Sequence, residues 1–257
     1  MLDIANIRKS KQIQDTILHI SLDWLSGDIQ ILKNDTETIE IIQYAKQGFL
    51  ESKLFDAQVE NGVLNIVDGR KRKLCLGINF HRTMLELRLP PQLFQSFSIQ
   101  STGSHVTIED LQVVKCSCRI TSGKAHIAGT FANLDVRAVG SHIMGERLAV
   151  QKLHLQATSS TASFSGSFSE IDSQITGRSI NMLSSSMIQR LQSISTGASV
   201  KVSVPENDGF ILQYKKNSGQ MHSDFPLVSQ GNEHTYKRGG STFIAEVRGG
   251  KFTILRN

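Results

Sequence analysis

The sequence predicts an all-β chain: a β-solenoid of the right-handed β-helix kind, built on tandem 37-residue repeats and capped by irregular β segments at both ends. Three observations predict it. An ungapped internal repeat occupies the middle of the chain, turn residues recur inside it at regular spacing, and apolar residues alternate over short runs with almost no helical period.

The repeat comes first because it decides the architecture. Residues 97–133 align with 134–170 without a gap, and 12 of the 37 positions are identical. Thr102-Gly103-Ser104-His105-Val106 falls on Val139-Gly140-Ser141-His142-Ile143, and Gly129-Thr130-Phe131 falls on Gly166-Ser167-Phe168. A third copy starts at Ile171 and decays, although Ile194-Ser195-Thr196-Gly197 still lands on Ile120-Thr121-Ser122-Gly123. Turn positions 103, 123, 140, 160 and 177 divide each copy into halves of 20 and 17 residues. Such a half cannot bury its apolar face alone. Stacked at about 4.8 Å, successive halves pair their backbones and share one core. A β-sandwich explains alternation but not turns repeated in register.

The flanks follow the same grammar. Ser26-Gly27-Asp28-Ile29-Gln30-Ile31, Ser218-Gly219-Gln220-Met221 and Gly249-Gly250-Lys251-Phe252 repeat the turn-then-strand pattern, and residues 39–44, 63–67 and 84–89 read as strands. The expected division is an N-terminal β cap over 1–95, the repeat region over 96–200 and a C-terminal β cap over 201–257, in one continuous elongated domain. Caps are needed because open solenoid ends invite edge pairing. Residues 184–191 are the one helix candidate.

Charge and cysteine content set the compartment and partners. The formal net charge is +5, with one dense run at Arg70-Lys71-Arg72-Lys73. Following Asp68-Gly69, that run is expected on an exposed loop, either as solvated charge or as an anion or membrane patch. The three cysteines, Cys75, Cys116 and Cys118, have no disulfide-framework spacing and fit a reducing compartment. No apolar run has the length of a signal-peptide core or a membrane span, so the chain reads as cytoplasmic, with envelope association as the alternative.

Each chemical constellation has a structural explanation in the repeat. Cys116 and Cys118 begin a two-sulfur pattern, but the equivalent positions one copy on are Leu153 and Leu155, so both thiols are expected in the core. His105 and His142 share a turn position and are expected on the surface. Asp135 with Asp172, and Glu109 with Glu146, form acidic columns whose spacing of about 10 Å lies near the range of inverting glycosidases. Stacked carboxylates are also what any charged solenoid face shows. The sequence holds no metalloprotease helix, phosphate-binding glycine loop, nucleophile elbow or dinucleotide fingerprint, and its few aromatics make no stacking platform for nucleic acid. No catalytic, cofactor or metal residue is therefore expected.

The recurrent Ser-Gly-Asp-Ile-x-Ile and Thr-Gly-Ser-x-Val-x-Ile units resemble the bacterial adhesin-like β-strand-repeat family, domain of unknown function 4097. So do Leu87-Arg88-Leu89-Pro90 before the repeats, Val202-Ser203-Val204-Pro205, Asp224-Phe225-Pro226 and the closing Gly249-Gly250-Lys251-Phe252. The family commonly places Asp after the turn glycine; here Gly27-Asp28 keeps it, while Ser, Lys and Arg follow Gly103, Gly123 and Gly177. The resemblance implies a non-enzymatic interaction module presenting an extended surface to a protein or cell-envelope partner. The alternatives are a carbohydrate-active β-helix enzyme using the acidic columns and a binder of anionic membrane surfaces using the basic run.

Overall fold

A computed structural model of the chain describes residues 6–72 and 83–257. Packing divides it into two compact units, Met1–Gly129 and Thr130–Asn257. The first contains β1 (Asn6–Ile13), β2 (His19–Trp24), β3 (Gly27–Lys33), β4 (Ile39–Ala45), β5 (Asp56–Glu60), β6 (Val63–Val67), β7 (Thr83–Leu89), β8 (Phe94–Thr102) and β9 (Ser104–Thr121). The strand β10 (Lys124–Val139) crosses the boundary. The second unit continues with β11 (His142–Thr158), β12 (Thr161–Thr176), β13 (Ser179–Ser184), β14 (Arg190–Val204), β15 (Gly209–Ser223), β16 (Val228–Gln230), β17 (Glu233–Lys237) and β18 (Ser241–Arg256).

Pairing register shows that each long strand is a full circuit. Laid straight at about 3.3 Å per residue, β11 would span roughly 55 Å. Yet only Ser159 and Ser160 separate it from β12, and the two strands pair parallel from His142↔Thr161 to Thr158↔Thr176. The chain can begin β12 beside the start of β11 only if β11 turns back on itself. It does so between Gly145 and Leu148, where the register shifts. One rung is therefore two straight runs and two corners, the solenoid expected from the sequence.

The corners explain why the sequence repeats at two rungs and not at one. At the first corner the left-handed residues are Gly103, Ser122, Gly140, Ser159 and Gly177, with φ of 73°, 51°, 57°, 49° and 79°. The halves expected at 20 and 17 residues thus resolve to 19 and 18. Gly123 is glycine for a different reason: a Cβ there would lie 2.5 Å from the Ser104 carbonyl oxygen. Ser160 is buried and bridges rungs, donating from Oγ to the Thr158 carbonyl (2.9 Å) and accepting from the Ser141 amide (3.0 Å). At the second corner Asp110 and Arg147 are left-handed at φ 49° and 50°, and Gly129 and Gly166 sit at 149° and 151°. A Cβ on Gly129 or Gly166 would come within 2.2 Å of the Leu111 or 2.1 Å of the Leu148 carbonyl oxygen. A side-chain-bearing corner is followed by a glycine packed against it, so corner types alternate and 37 residues make one period.

In-register stacking places like residues in columns, the interior of each unit being aliphatic and aromatic. In the first unit Leu64, Ile20 and Phe97 stack, as do Leu85, Ile29 and Val106. In the second, Leu153, Ile171, Leu191 and Phe243 stack, with Ile180, Val200 and Phe252 in another column. Cys116 and Cys118 are buried in the core as expected, their sulfurs 3.8 Å apart, beside Phe97 and Ile99 of β8. The helix expected over 184–191 is instead a corner. Ser185 and Gln189 donate their amides to the Gly166 and Ser169 carbonyls of the preceding rung, and the apolar Ile188 fills the interior.

Both units stack rungs out of chain order. The rung formed by β2 and β3 lies between the rung of β6 and β7 and the rung of β8 and β9. Antiparallel strands finish that end: β5 on β6, β4 on β7, and β1 on β4. In the second unit β18 inserts between β14 and β15, parallel to both. The hairpin of β16 and β17 then lies antiparallel on β15, along Gly209–Gln213 only.

Candidate binding groove

The second unit carries an open groove of about 690 Å³ along its first corner. It arises from the register of five rungs. Parallel pairing aligns Thr161 and Ser179 closely, then sets Ser179 opposite Ser199, Ser199 opposite Lys251 and Lys251 opposite Gln220. These side chains form one wall. Beside them the floor is narrow and small-residued: Ala198 pairs with Gly250 and Gly250 with Gly219. A Cβ on Gly250 would meet the Ala198 carbonyl oxygen at 2.1 Å, so a larger floor does not fit. The corner itself is bare, because Gly177, Gly197 and Gly249 take left-handed φ of 79°, 57° and 70°, and a Cβ on Gly197 or Gly249 would meet nothing within 4 Å.

Two cations frame the central rung. Arg178 precedes Ser179 on one side, and its carbonyl accepts the Ser199 amide at 3.0 Å. Lys251 stands on the other side, two rungs from Ser179, or about 10 Å at the strand spacing. Both are exposed, and among the described residues neither side chain has an acidic partner within ion-pair distance. No carboxylate lines the groove. The arrangement offers hydroxyl, amide and cationic donors in register, which suits reversible recognition of a polar chain laid across the rungs.

The residues singled out from the sequence lie elsewhere. Arg70 corrects the expectation of an exposed basic run, since it is buried against Trp24. Its guanidinium pairs with the fully buried Asp68 at 2.5 Å and donates to the Ser26 carbonyl at 2.5 Å and the Ser26 hydroxyl at 3.2 Å. Asp68 also accepts the Leu25 amide at 3.1 Å. This ion pair clasps the corner between β2 and β3, and Arg70 has no charge left to offer a partner. Lys71 pairs with Asp23. Arg72 closes the 3-10 turn Gly69–Arg72, and Lys73 and Cys75 lie outside the described residues.

The Asp135 and Asp172 column is engaged locally. Asp135 meets Arg137 at 3.4 Å, and Asp172 meets His154, its neighbour on the preceding rung, at 3.4 Å. His105 is exposed, 3.9 Å from Asp28, and His142 is exposed with Thr161 at 2.7 Å. Among the described residues no group of three or more His, Cys, Asp or Glu converges as a metal site. No helix among them is long and apolar enough to cross a membrane. Sequence reasoning missed the groove because its walls come from positions up to 90 residues apart whose residue types are common everywhere. The one available signal was the run of corner glycines at 177, 197 and 249.

Pairing and corners define a β-solenoid, and its second unit carries a laterally open groove. The chain belongs to the Toastrack family, domain of unknown function 4097, matching it over residues 17–243. Among solved structures it is similar to one from Parabacteroides merdae (13% identity, 97% of this chain and 95% of that one covered, TM-score 0.54) and one from Parabacteroides distasonis (13%, 97% and 96%, 0.52). A third, from Bacteroides fragilis, is similar at 11% identity, 96% and 98% coverage and a TM-score of 0.50; all three carry the name "putative adhesin". At these identities the likeness shows the shared fold. Among curated proteins, none matches the chain.

Proposed function

We propose that this chain is a non-enzymatic interaction module that holds a cell-envelope partner along the corner groove of its second unit. The observation that carries this reading is the alignment of Thr161, Ser179, Ser199, Lys251 and Gln220 on five neighbouring rungs around an open trough. Solenoids use such repeated, laterally continuous surfaces for binding extended partners. The adhesin name borne by the structural neighbours points the same way.

The test is photocrosslinking in the native envelope fraction. A benzophenone amino acid placed at Ser199 is expected to capture one discrete species, while the same group at Lys115 of β9 captures none. Equal labelling from both positions, or from neither, overturns the assignment of the groove as the binding surface.

A further inference from the structure

We infer that the groove selects an oxyanion, a phosphate or sulfate ester carried on an extended polymer, and seats it over Ser199 between Arg178 and Lys251. This rests on the groove being the binding surface and adds the chemistry of what it holds.

The argument starts from charge. The rung carrying Gly197, Ala198 and Ser199 has the Arg178 rung on one side and the Lys251 rung on the other, each one strand spacing away. Both side chains are long and exposed, and neither is neutralised by a carboxylate among the described residues. Some exposed cations elsewhere on this surface have an acid in reach, such as Arg137 with Asp135, Lys152 with Glu170, Arg248 with Glu246 and Lys237 with Glu206, whereas the residues lining the groove include two cations and no carboxylate. A trough between two unneutralised cations has a positive potential and attracts anions.

Shape narrows the ligand further. The missing side chains at Gly197 and Gly249 open the corner, while Ala198 and Gly250 keep the floor low. An anionic group can thus approach Ser199 closely enough to take its hydroxyl as a donor along with both cations. Arginine and lysine hydrogen bonds to such an oxyanion are charge-assisted and stronger than neutral ones. A groove of about 690 Å³ spanning five rungs is longer than one tetrahedral anion needs, and its hydroxyl and amide wall suits the uncharged remainder of a sugar or polyol chain.

Phosphodiester and sulfated polymers share this chemistry, so the experiment includes both. Fluorescein-labelled glycerol-phosphate oligomer, sulfated dextran oligosaccharide and neutral dextran of equal length are titrated with the full chain, and anisotropy is read at two salt concentrations. The parent is expected to bind at least one anionic probe, more weakly at higher salt, and not neutral dextran. The variant Arg178→Gln with Lys251→Gln is expected to lose about tenfold or more in affinity. Lys115→Gln with Arg119→Gln, on β9, removes the same two charge types outside the groove and is expected to stay within about twofold. Whichever anionic probe binds tighter identifies the source. Equal losses in the two double variants, or no loss in the first, overturn the site. If neutral dextran binds as well as the anionic probes, or no anionic probe binds, the oxyanion assignment falls. Crosslinking from Ser199 then decides separately whether the groove is a binding surface at all.

Discussion

The two ends of the described chain solve one problem, an exposed sheet edge, in different ways. In the first unit antiparallel strands cover both runs of the outer rung, β5 on one and β4 on the other, and the buried Asp68–Arg70 pair locks the adjoining corner. In the second unit the hairpin of β16 and β17 covers only the Gly209–Gln213 half of β15. The other half, Lys215–Ser223, is mostly exposed, and among the described residues it pairs with β18 alone. Lys215, Lys216 and the left-handed Ser218 blunt it against edge-to-edge association. Ser218 and Gln220 from this uncovered half also line the groove. One edge is closed, whereas the other stays partly open where the groove lies.

The sharpest break in that comparison is Arg70→Met. It strands the Asp68 carboxylate without its counter-ion in a dry corner and is expected to destabilise the chain by about 3–5 kcal/mol, measured by urea denaturation. Adding Asp68→Asn is expected to recover part of that loss. If Arg70→Met alone unfolds like the parent, the corner between β2 and β3 is not held by this pair.

Corner geometry should give the next largest effect. Gly166→Ala forces a Cβ against the Leu148 carbonyl in an unfavourable φ and is expected to cost at least about 1–3 kcal/mol. Gly249→Ala, at a left-handed φ with open space, is expected to cost only about 1 kcal/mol. Equal costs at both positions would refute the distinction between packed and open corners. Cys118→Leu should be smaller still in effect, up to about 1.5 kcal/mol, because Leu155 already fills the equivalent site one repeat on. A charge at that position, Cys118→Asp, should cost several times more in the same thermal melt.

The smallest effect tests how the hairpin of β16 and β17 is tied down. Glu206 accepts from Lys237 Nζ and the Tyr236 hydroxyl, both at 2.5 Å, with Arg256 at 3.1 Å. Hydrogen bonds from Lys237 and then Tyr236 hold its carboxyl down at about 2, against an ordinary 4.5. A carboxyl depressed in the folded state binds its proton more readily when unfolded. Its contribution is thus complete above about pH 4.5 and fades as pH falls toward 2. Glu206→Gln is expected to lower Tm slightly at neutral pH and to flatten the decline of Tm between pH 4.5 and 2. An unchanged acid limb would show that this network adds nothing to the stability of the hairpin.

The architecture was largely legible because its determinants are local. Corner residues such as Gly103, Gly140 and Gly177 are dictated by backbone conformation, and Cys118 could be read as core from Leu155 one repeat away. Ser122 and Ser159 hid the true corner spacing, since serine does not announce a left-handed φ and Gly123 sits one position later for steric reasons. Arg70 was misread because a run of four basic residues looks solvated, and only the fold brings Asp68, Trp24 and Ser26 around its guanidinium. The groove was illegible for a related reason. Pairing of Ser199 with Lys251 requires β18 to skip past β15 and the hairpin, and no local pattern records that skip.

The position of β18 also has a temporal meaning. Residues 241–256 leave the ribosome after β14, β15 and the hairpin, yet they fill the slot between β14 and β15, with Leu191 waiting for Phe243 and Leu212 for the same residue's other face. Until then β14 presents an unsatisfied strand edge, and β15 has no parallel neighbour to dock on. Contacts this distant in sequence carry a large closure entropy before they return any stability, which slows the final step. A chain truncated before Ser241 would therefore expose two unpaired edges at once, and its hazard in the cell is association with other nascent chains rather than a modest loss of stability.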